Sequence, residues 1–335
     1  MTAATEIERA GLLETARELA RRELMPRAAE LDAGDPLALA ECWQELAGLG
    51  FDRALLVEQH GGAGLSVFDL LAAVEELAVG DGGIALCVLL SNAAHAAQPE
   101  KSAAIPAGER WVLVPVRSGT EVTISDGQLD GGIACALGAH GVDGLVLVGA
   151  WPTPIAVPAG TPGLRLQPDE TQMGLRAAPA ASISVTGIVA DSDTTVSDGA
   201  KSLALLRAGT AAIARGIARR AYEMALEYAY ARHQGGVAII EYDAVSDMLA
   251  AMAVRLAVPL PANADEMQAL AAKIAQTDAA VATTTDAVQV FGGIGYMRET
   301  GVEKLMRDAK YCQLFPEPNW VAHDELMRLE RARRR

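Results

Sequence analysis

The chain has 335 residues, 51% of them hydrophobic yet only 4% aromatic, and a formal net charge of −15. That acidic balance repels phosphates and argues against a nucleic-acid surface or an anionic membrane partner, while no apolar run approaches the roughly 20 residues of a membrane span. A core built from Ala, Leu, Val and Met favours helices over sandwiches.

Residues 6 to about 98 read as helical, with Leu12, Ala16, Leu19 and Leu24 at near-helical spacing, then Trp43, Leu46 and Leu49. Ser66 at the start and Gly80 at the end are expected to cap a further helix, and the glycine-rich stretch 60–64 is a turn between helices. From about 106 to 191 short runs at 111–116, 145–148, 155–157 and 182–185 are punctuated by Gly, Pro and Asp, which predicts a small antiparallel barrel or sandwich. Helices return from about 198. Ile213, Ile217, Met224 and Tyr228 share one face, and Tyr242, Val245, Leu249, Met252 and Leu256 share the next, which Pro259 and Pro261 end. A third run holds Met267, Leu270, Ile274, Val281 and Val288 and breaks at Gly292 and Gly293. The fold class is therefore α+β, with an N-terminal helical domain (1–102), a middle β domain (103–192) and a C-terminal helical domain (193–335). The basic stretch 331–335 is expected to be a disordered end. Cys42, Cys87, Cys135 and Cys312 are far apart and form no CxxC pair, and the N-terminus has no signal-peptide core, so a cytoplasmic chain with reduced thiols is expected. His60, His95, His140, His233 and His323 show neither metal-ligand spacing nor a Ser or Cys partner pattern, and no metal is expected.

The stretch Gln289-Val-Phe-Gly-Gly-Ile-Gly-Tyr-Met-Arg-Glu, followed by Val302-Glu303-Lys304-Leu305 and Arg307-Asp308-Ala309, resembles the C-terminal motif of acyl-CoA dehydrogenases. A lone Gly-Gly-x-Gly is usually only a turn; the flanking residues 302–310 supply the specificity. Residues 57–65 with Glu75-Glu76-Leu77-Ala78 look like the family's N-terminal helical domain, and Met173-Gly174-Leu175-Arg176-Ala177 is similar to the end of its middle domain. The resemblance implies that the middle domain is a small β-barrel and the C-terminal one a four-helix bundle. It also implies oxidation of an acyl-CoA thioester to 2-enoyl-CoA with FAD as cofactor. A glutamate takes the α-proton, and electrons leave to an electron-transfer flavoprotein.

The departures from that pattern matter as much. The family holds its flavin ring on the middle domain with a Thr-Glu-Pro segment and a Trp-Ile-Thr segment. Here the first corresponds to residues 114–119, without an acidic loop, and the second to Cys135-Ala136-Leu137, without ring or hydroxyl. The half of the FAD site that comes from a neighbouring subunit is kept. Arg232 and Gln234 match an Arg-x-Gln-Phe-Gly motif that reaches the flavin pyrophosphate across the interface, with Gly235 in place of Phe, and Gln289, Gly292 and Gly293 match positions that meet the ADP portion. The position of the family's base is occupied by Pro316, with Glu317 one residue late between two prolines; the alternative base position is Leu206. Arg207 matches a family arginine near the active site, its plainer reading being a salt bridge. Glu317 and Arg207 are thus the catalytic candidates.

Three readings follow. The chain is a subunit sharing FAD with a homologous acyl-CoA dehydrogenase subunit, two of each chain, like the pairs acting on steroid side-chain CoA esters. Alternatively it is a self-sufficient enzyme using Glu317, or a flavin-free scaffold or CoA-ester binding protein. Kept trans contacts beside lost ring contacts favour the first.

Overall fold

The computed structural model describes residues 3–116, 122–149, 151, 154–189, 199–260 and 265–334, with side chains from residue 10 onward. Helix α1 (Ala3–Leu19) runs into a π-turn (Ala20–Leu24), followed by α2 (Ala28–Ala33), α3 (Pro36–Gly48), α4 (Val67–Gly80), α5 (Gly82–Ala97) and α6 (Pro99–Ser102). Local chemistry sets these boundaries. The Asp35 carboxylate accepts the Leu37 and Ala38 amides at the start of α3, Ser66 Oγ accepts the Asp69 amide at the start of α4, and Asp81 accepts the Gly83 and Ile84 amides at the start of α5. Two expectations are corrected. Leu49 lies beyond the end of α3 and is 56% exposed, because the helix face turns away from the core there. Gly80 is no left-handed cap but the last residue of α4, and a Cβ on it would come within 2.7–2.9 Å of Leu24 and Ala20; the glycine is needed for close approach of two helices.

Seven strands follow: β1 (Trp111–Pro115), β2 (Thr123–Ser125), β3 (Gln128–Ala136), β4 (Gly144–Val148), β5 (Ile155–Pro158), β6 (Leu164–Pro168) and β7 (Ala181–Val189). They make two sheets, ordered β1-β4-β5 and β2-β3-β7-β6. The β1–β4 pair is parallel, so the sheets are not wholly antiparallel as expected. Strands β2, β3 and β6 escaped the sequence pattern because β2 and β6 are largely exposed and β3 carries Gly131, Gly132 and two register shifts, which erase the alternation that betrays a strand.

The C-terminal helices are α7 (Gly199–Ala231), α8 (Asp243–Leu256), α9 (Glu266–Phe291), α10 (Val302–Cys312) and α11 (Asn319–Arg333), with a short hairpin, β8 (His233–Gln234) and β9 (Val237–Ala238), after α7. Helices α7 and α9 lie side by side and parallel. Arg207 Nη1 is 3.8 Å from Glu266 near both starts, and the Tyr228 and Phe291 rings stack at 4.3 Å near both ends. Helix α8 stops at Leu256, ahead of Pro259; Pro261 lies outside the described residues. Tyr242 precedes that helix and is 42% exposed rather than part of its buried face. Residues 331–333, expected to be disordered, continue α11, whose Ala322, Leu326 and Leu329 pack on Leu270 and Ile274 of α9; that apolar seam carries the helix through its basic end.

The three segments that carry the family resemblance meet in space. Lys304 of α10 sits 2.9 Å from Asp81 and 2.6 Å from Asp308, and Asp308 accepts the Leu175 amide at 2.6 Å. Burial opposes the Lys304 charge, but Asp308 and Asp81 outweigh it and keep the ammonium protonated; burial raises the Asp308 carboxyl. Arg307 bridges Asp32, Glu303 and the Met173 carbonyl, and Glu75 and Glu76 of α4 pair with Arg215 and Arg219 of α7. These residues lock helices to strands to bundle. Among the described residues no helix is long and apolar enough to cross a membrane, and no cluster of His, Cys, Asp or Glu is arranged to hold a metal ion.

Candidate functional site

The sequence-derived candidates fall at opposite ends of the parallel pair α7–α9. At the starting end, the loop between α10 and α11 brings Glu317 against α7. Glu317 is 2% exposed and accepts from Arg207 Nε at 3.0 Å, with Arg207 itself 4% exposed. The two catalytic candidates are thus joined to each other, 110 positions apart in sequence. The loop is held from below by Lys273, a residue that the sequence reading overlooked. Its ammonium donates to the Glu317 carbonyl at 2.5 Å, the Gln313 carbonyl at 3.1 Å and Asn319 Oδ1 at 2.5 Å. Burial lowers the Lys273 pKa to about 8 even though Glu317 pulls the other way. The signal for it was present: Lys273 stands in the stripe Leu270, Ile274, Thr277, where an interior lysine demands acceptors. Asn319 completes the clamp by donating to Thr277 and Asp278.

Beside this loop a cavity of about 370 Å³ opens between the sheets and the end of α10. Leu113, Val114 and Pro115 of β1 form one wall, Ile133, Cys135 and Ala136 of β3 with Leu137 a second, and Tyr311, Leu314, Phe315 and Pro316 the third. Pro316 faces this space; Glu317 is not part of its lining. The walls are made by the two segments that in the resembling family grip a flavin ring, apart from residues 117–119, which lie outside the described residues. Among the described residues that line it there is no charged or amide side chain. The polar groups are the Cys135 thiol and the Tyr311 hydroxyl, which already accepts the Met173 amide at 3.0 Å. A flavin ring carries carbonyl oxygens and ring nitrogens that need partners once buried, and the side chains of this cavity do not supply them.

The other end of the bundle is open. Arg232 follows the last turn of α7 and is exposed, and among the described residues its guanidinium has no ion-pair partner. The hairpin after it turns on Gly235 (φ +61°) and Gly236 (φ +93°), the two positive φ values that a two-residue turn of this kind requires. A Cβ at Gly235 would lie 2.6 Å from the Tyr242 hydroxyl, which donates to the Gln234 carbonyl at 2.9 Å. The glycine standing where the family motif has Phe is therefore demanded by the turn itself. Gln289 is exposed near the end of α9, and Gly292 adopts φ +64°, ψ −144°, a region open to glycine alone. Nothing lies within 4 Å of a Cβ built on Gly292 or Gly293, so this backbone is bare. The Gly292 amide itself donates to the Gln289 carbonyl, so the donors left here, a guanidinium and two carboxamides beside a backbone without side chains, are what suit a diphosphate. At 1.5 Å per residue, α7 separates this patch from Arg207 by about 36 Å.

One further pair was not foreseen. His95 Nδ1 and Ser102 Oγ are 3.0 Å apart, but both are fully buried, so the pair ties α5 to α6 and no substrate reaches it.

Comparison with known proteins agrees with this geometry. Residues 6–101 match the model of the acyl-CoA dehydrogenase N-terminal domain and residues 199–316 that of the acyl-CoA dehydrogenase C-terminal domain. Cyclohex-1-ene-1-carbonyl-CoA dehydrogenase of Geobacter metallireducens is 30% identical over 359 residues, covering 92% of this chain and 94% of that protein. The human mitochondrial short-chain specific acyl-CoA dehydrogenase is 27% identical, covering 91% and 85%. Butyryl-CoA dehydrogenase from Megasphaera elsdenii shares the fold with a TM-score of 0.81 at 24% identity, covering 96% of both chains. The helical layers that enclose the two sheets, the motif residues that lock them together and these matches establish that the chain belongs to the acyl-CoA dehydrogenase family.

Proposed function

We propose that this chain is the FAD-lending subunit of a heteromeric acyl-CoA dehydrogenase. It completes the cofactor site of a homologous partner and leaves its own ring position without a flavin. The observation that carries this reading is the partition of polar chemistry between the two ends of α7–α9. The phosphate-suited patch faces outward, about 36 Å along α7 from Arg207, whose partner Glu317 follows the loop that walls a cavity with almost wholly apolar described side chains. Exposed Tyr230, Val237, Tyr242, Ile294, Tyr296 and Met297 surround the outward patch, and a concentration of large apolar side chains at one end of a bundle fits a subunit interface.

In this reading Arg232 bonds two oxygens of the cofactor diphosphate, Gln234 and Gln289 orient it, and the Gly292–Gly293 backbone lets the cofactor come close where no Cβ intervenes, with the Gly293 amide as donor. FAD, when bound, supplies a hydride acceptor for the β-hydrogen of the acyl-CoA thioester. The base that takes the α-proton belongs to the partner, because Glu317 is neutralised by Arg207 and stands outside the cavity lining. An electron-transfer flavoprotein drains the electrons, and the resemblance to paired steroid side-chain enzymes extends the proposal to a steroid CoA ester and a two-plus-two assembly.

The test is the visible absorbance spectrum of the chain purified alone and with its partner. The chain alone should be colourless and the co-purified complex yellow, with one FAD per pair of unlike chains. A yellow chain by itself with near-stoichiometric FAD would refute the proposal.

A further inference from the structure

Resting on that reading, we infer that the cavity between β1, β3 and the end of α10 is a binding site for an uncharged, largely hydrocarbon small molecule. Its volume, about 370 Å³, falls in the range of roughly 300–1,000 Å³ typical of small-molecule sites. Its three described walls are held in place. Strand β1 is paired along its length with β4, β3 with β7, and the loop after α10 is pinned through the Gln313 and Glu317 carbonyls by Lys273. Water finds few side-chain partners there: an ordered water needs two to four polar partners, and among the described residues the side chains offer one thiol and a hydroxyl already engaged by an amide. A charged ligand would be buried without a counter-ion and is disfavoured. An apolar molecule needs none of these partners and displaces only loosely held solvent.

The fold supplies its own reporter. Cys135 lines the cavity and is exposed, whereas Cys42, Cys87 and Cys312 are buried. Alkylation of the native full-length chain by a maleimide, followed by intact mass, therefore reads occupancy at one position. The probe is N-phenyl-1-naphthylamine, an uncharged apolar fluorophore, compared with riboflavin, which carries the flavin ring without phosphate. The naphthylamine should bind saturably with one site per chain and slow Cys135 labelling at least tenfold, and riboflavin at equal concentration should leave the rate unchanged. Cys135→Trp, which fills the mouth of the cavity, should abolish fluorophore binding while leaving the melting temperature unchanged. Labelling that the fluorophore does not slow, or binding that survives Cys135→Trp, would overturn the inference and leave the half-site reading intact. Protection by riboflavin would overturn both, since the cavity would then seat a flavin ring.

Discussion

The two ends of the α7–α9 pair solve opposite problems with the same two helices. At the starting end the buried charges are paired within the chain, Glu317 with Arg207 and Lys273 with two carbonyls and Asn319, and Arg207 Nη1 alone of these groups lacks a hydrogen-bond partner. At the finishing end Arg232 and Gln289 stand in solvent and the Gly292–Gly293 backbone is bare. A set of groups that are mostly paired contributes to stability and has little valence left for a ligand, whereas an open set contributes little to stability and is free to bind. The residue types alone would have suggested the reverse, since a glutamate beside an arginine looks more catalytic than an arginine beside glycines.

The largest expected effect breaks the comparison at its closed end. Glu317→Gln removes the buried counter-ion of Arg207 and leaves it only the more exposed Glu266 at 3.8 Å, which costs up to about 3–5 kcal/mol and should appear as a marked fall in the chemical-denaturation midpoint. Turnover of the co-purified complex with an artificial electron acceptor should stay within a small factor per folded molecule. A fall of about 10²–10⁴ in rate at full FAD occupancy would instead make Glu317 a base. Replacing both partners with apolar residues, Arg207→Met with Glu317→Leu, should recover most of the lost stability.

At the open end the signs exchange. Arg232→Ala should leave the unfolding free energy of the isolated chain within about 0.5 kcal/mol of unchanged, yet weaken FAD retention in the complex by about 2–5 kcal/mol, roughly 30-fold or more. Flavin content measured after gel filtration decides the matter; full retention would make the arginine ornamental to the cofactor.

A third measurement separates both ends from acid effects in the N-terminal helices. Burial, reinforced by Arg53 and opposed by Asp52, lowers the His95 pKa from 6.5 to about 4. Between those values the unfolded chain binds a proton that the folded chain refuses, so stability rises with pH across this window and is lost as pH falls from 6.5 towards 4. The loss is on the order of 3 kcal/mol at its limit. Thermal melts at pH 7 and pH 5 should diverge in the native chain and converge in His95→Gln.

The smallest effect tests the bare backbone. Gly292→Ala forces a Cβ into a glycine-only conformation at a cost of about 1–3 kcal/mol. Gly293→Ala, with no positive φ and open space around it, should fold normally and still reduce FAD retention if its amide must approach a phosphate. Equal flavin content in Gly293→Ala and the native complex would remove that glycine from the site.

Much of the fold was legible from residues 57–65, 173–177 and 289–310 together with the helix, strand, helix order. The reason is now visible: Lys304, Asp308, Arg307 and the Leu175 amide are what lock the layers, so the motif that marks the family marks a structural joint. The candidate site was legible only as residue types. Sequence periodicity reports which face of an element is buried, and so it located the helices and the stronger strands, together with the Ser66 start and the Gly292–Gly293 break, all of which are local. It carries no information on the direction in which β1 meets β4, on the approach of α4 to Ala20 that makes Gly80 necessary, or on the partner of a buried charge 110 positions away. Those depend on long-range packing. The amino-acid sequence by itself determined the family and the chemistry held in reserve at Arg232, Gln289 and the glycines. Only the tertiary structure decided that Glu317 pairs with Arg207 and that the described side chains between β1, β3 and the end of α10 line an apolar cavity, because a carboxylate's role is set by the nearest charge in space and a cavity's by the walls around it.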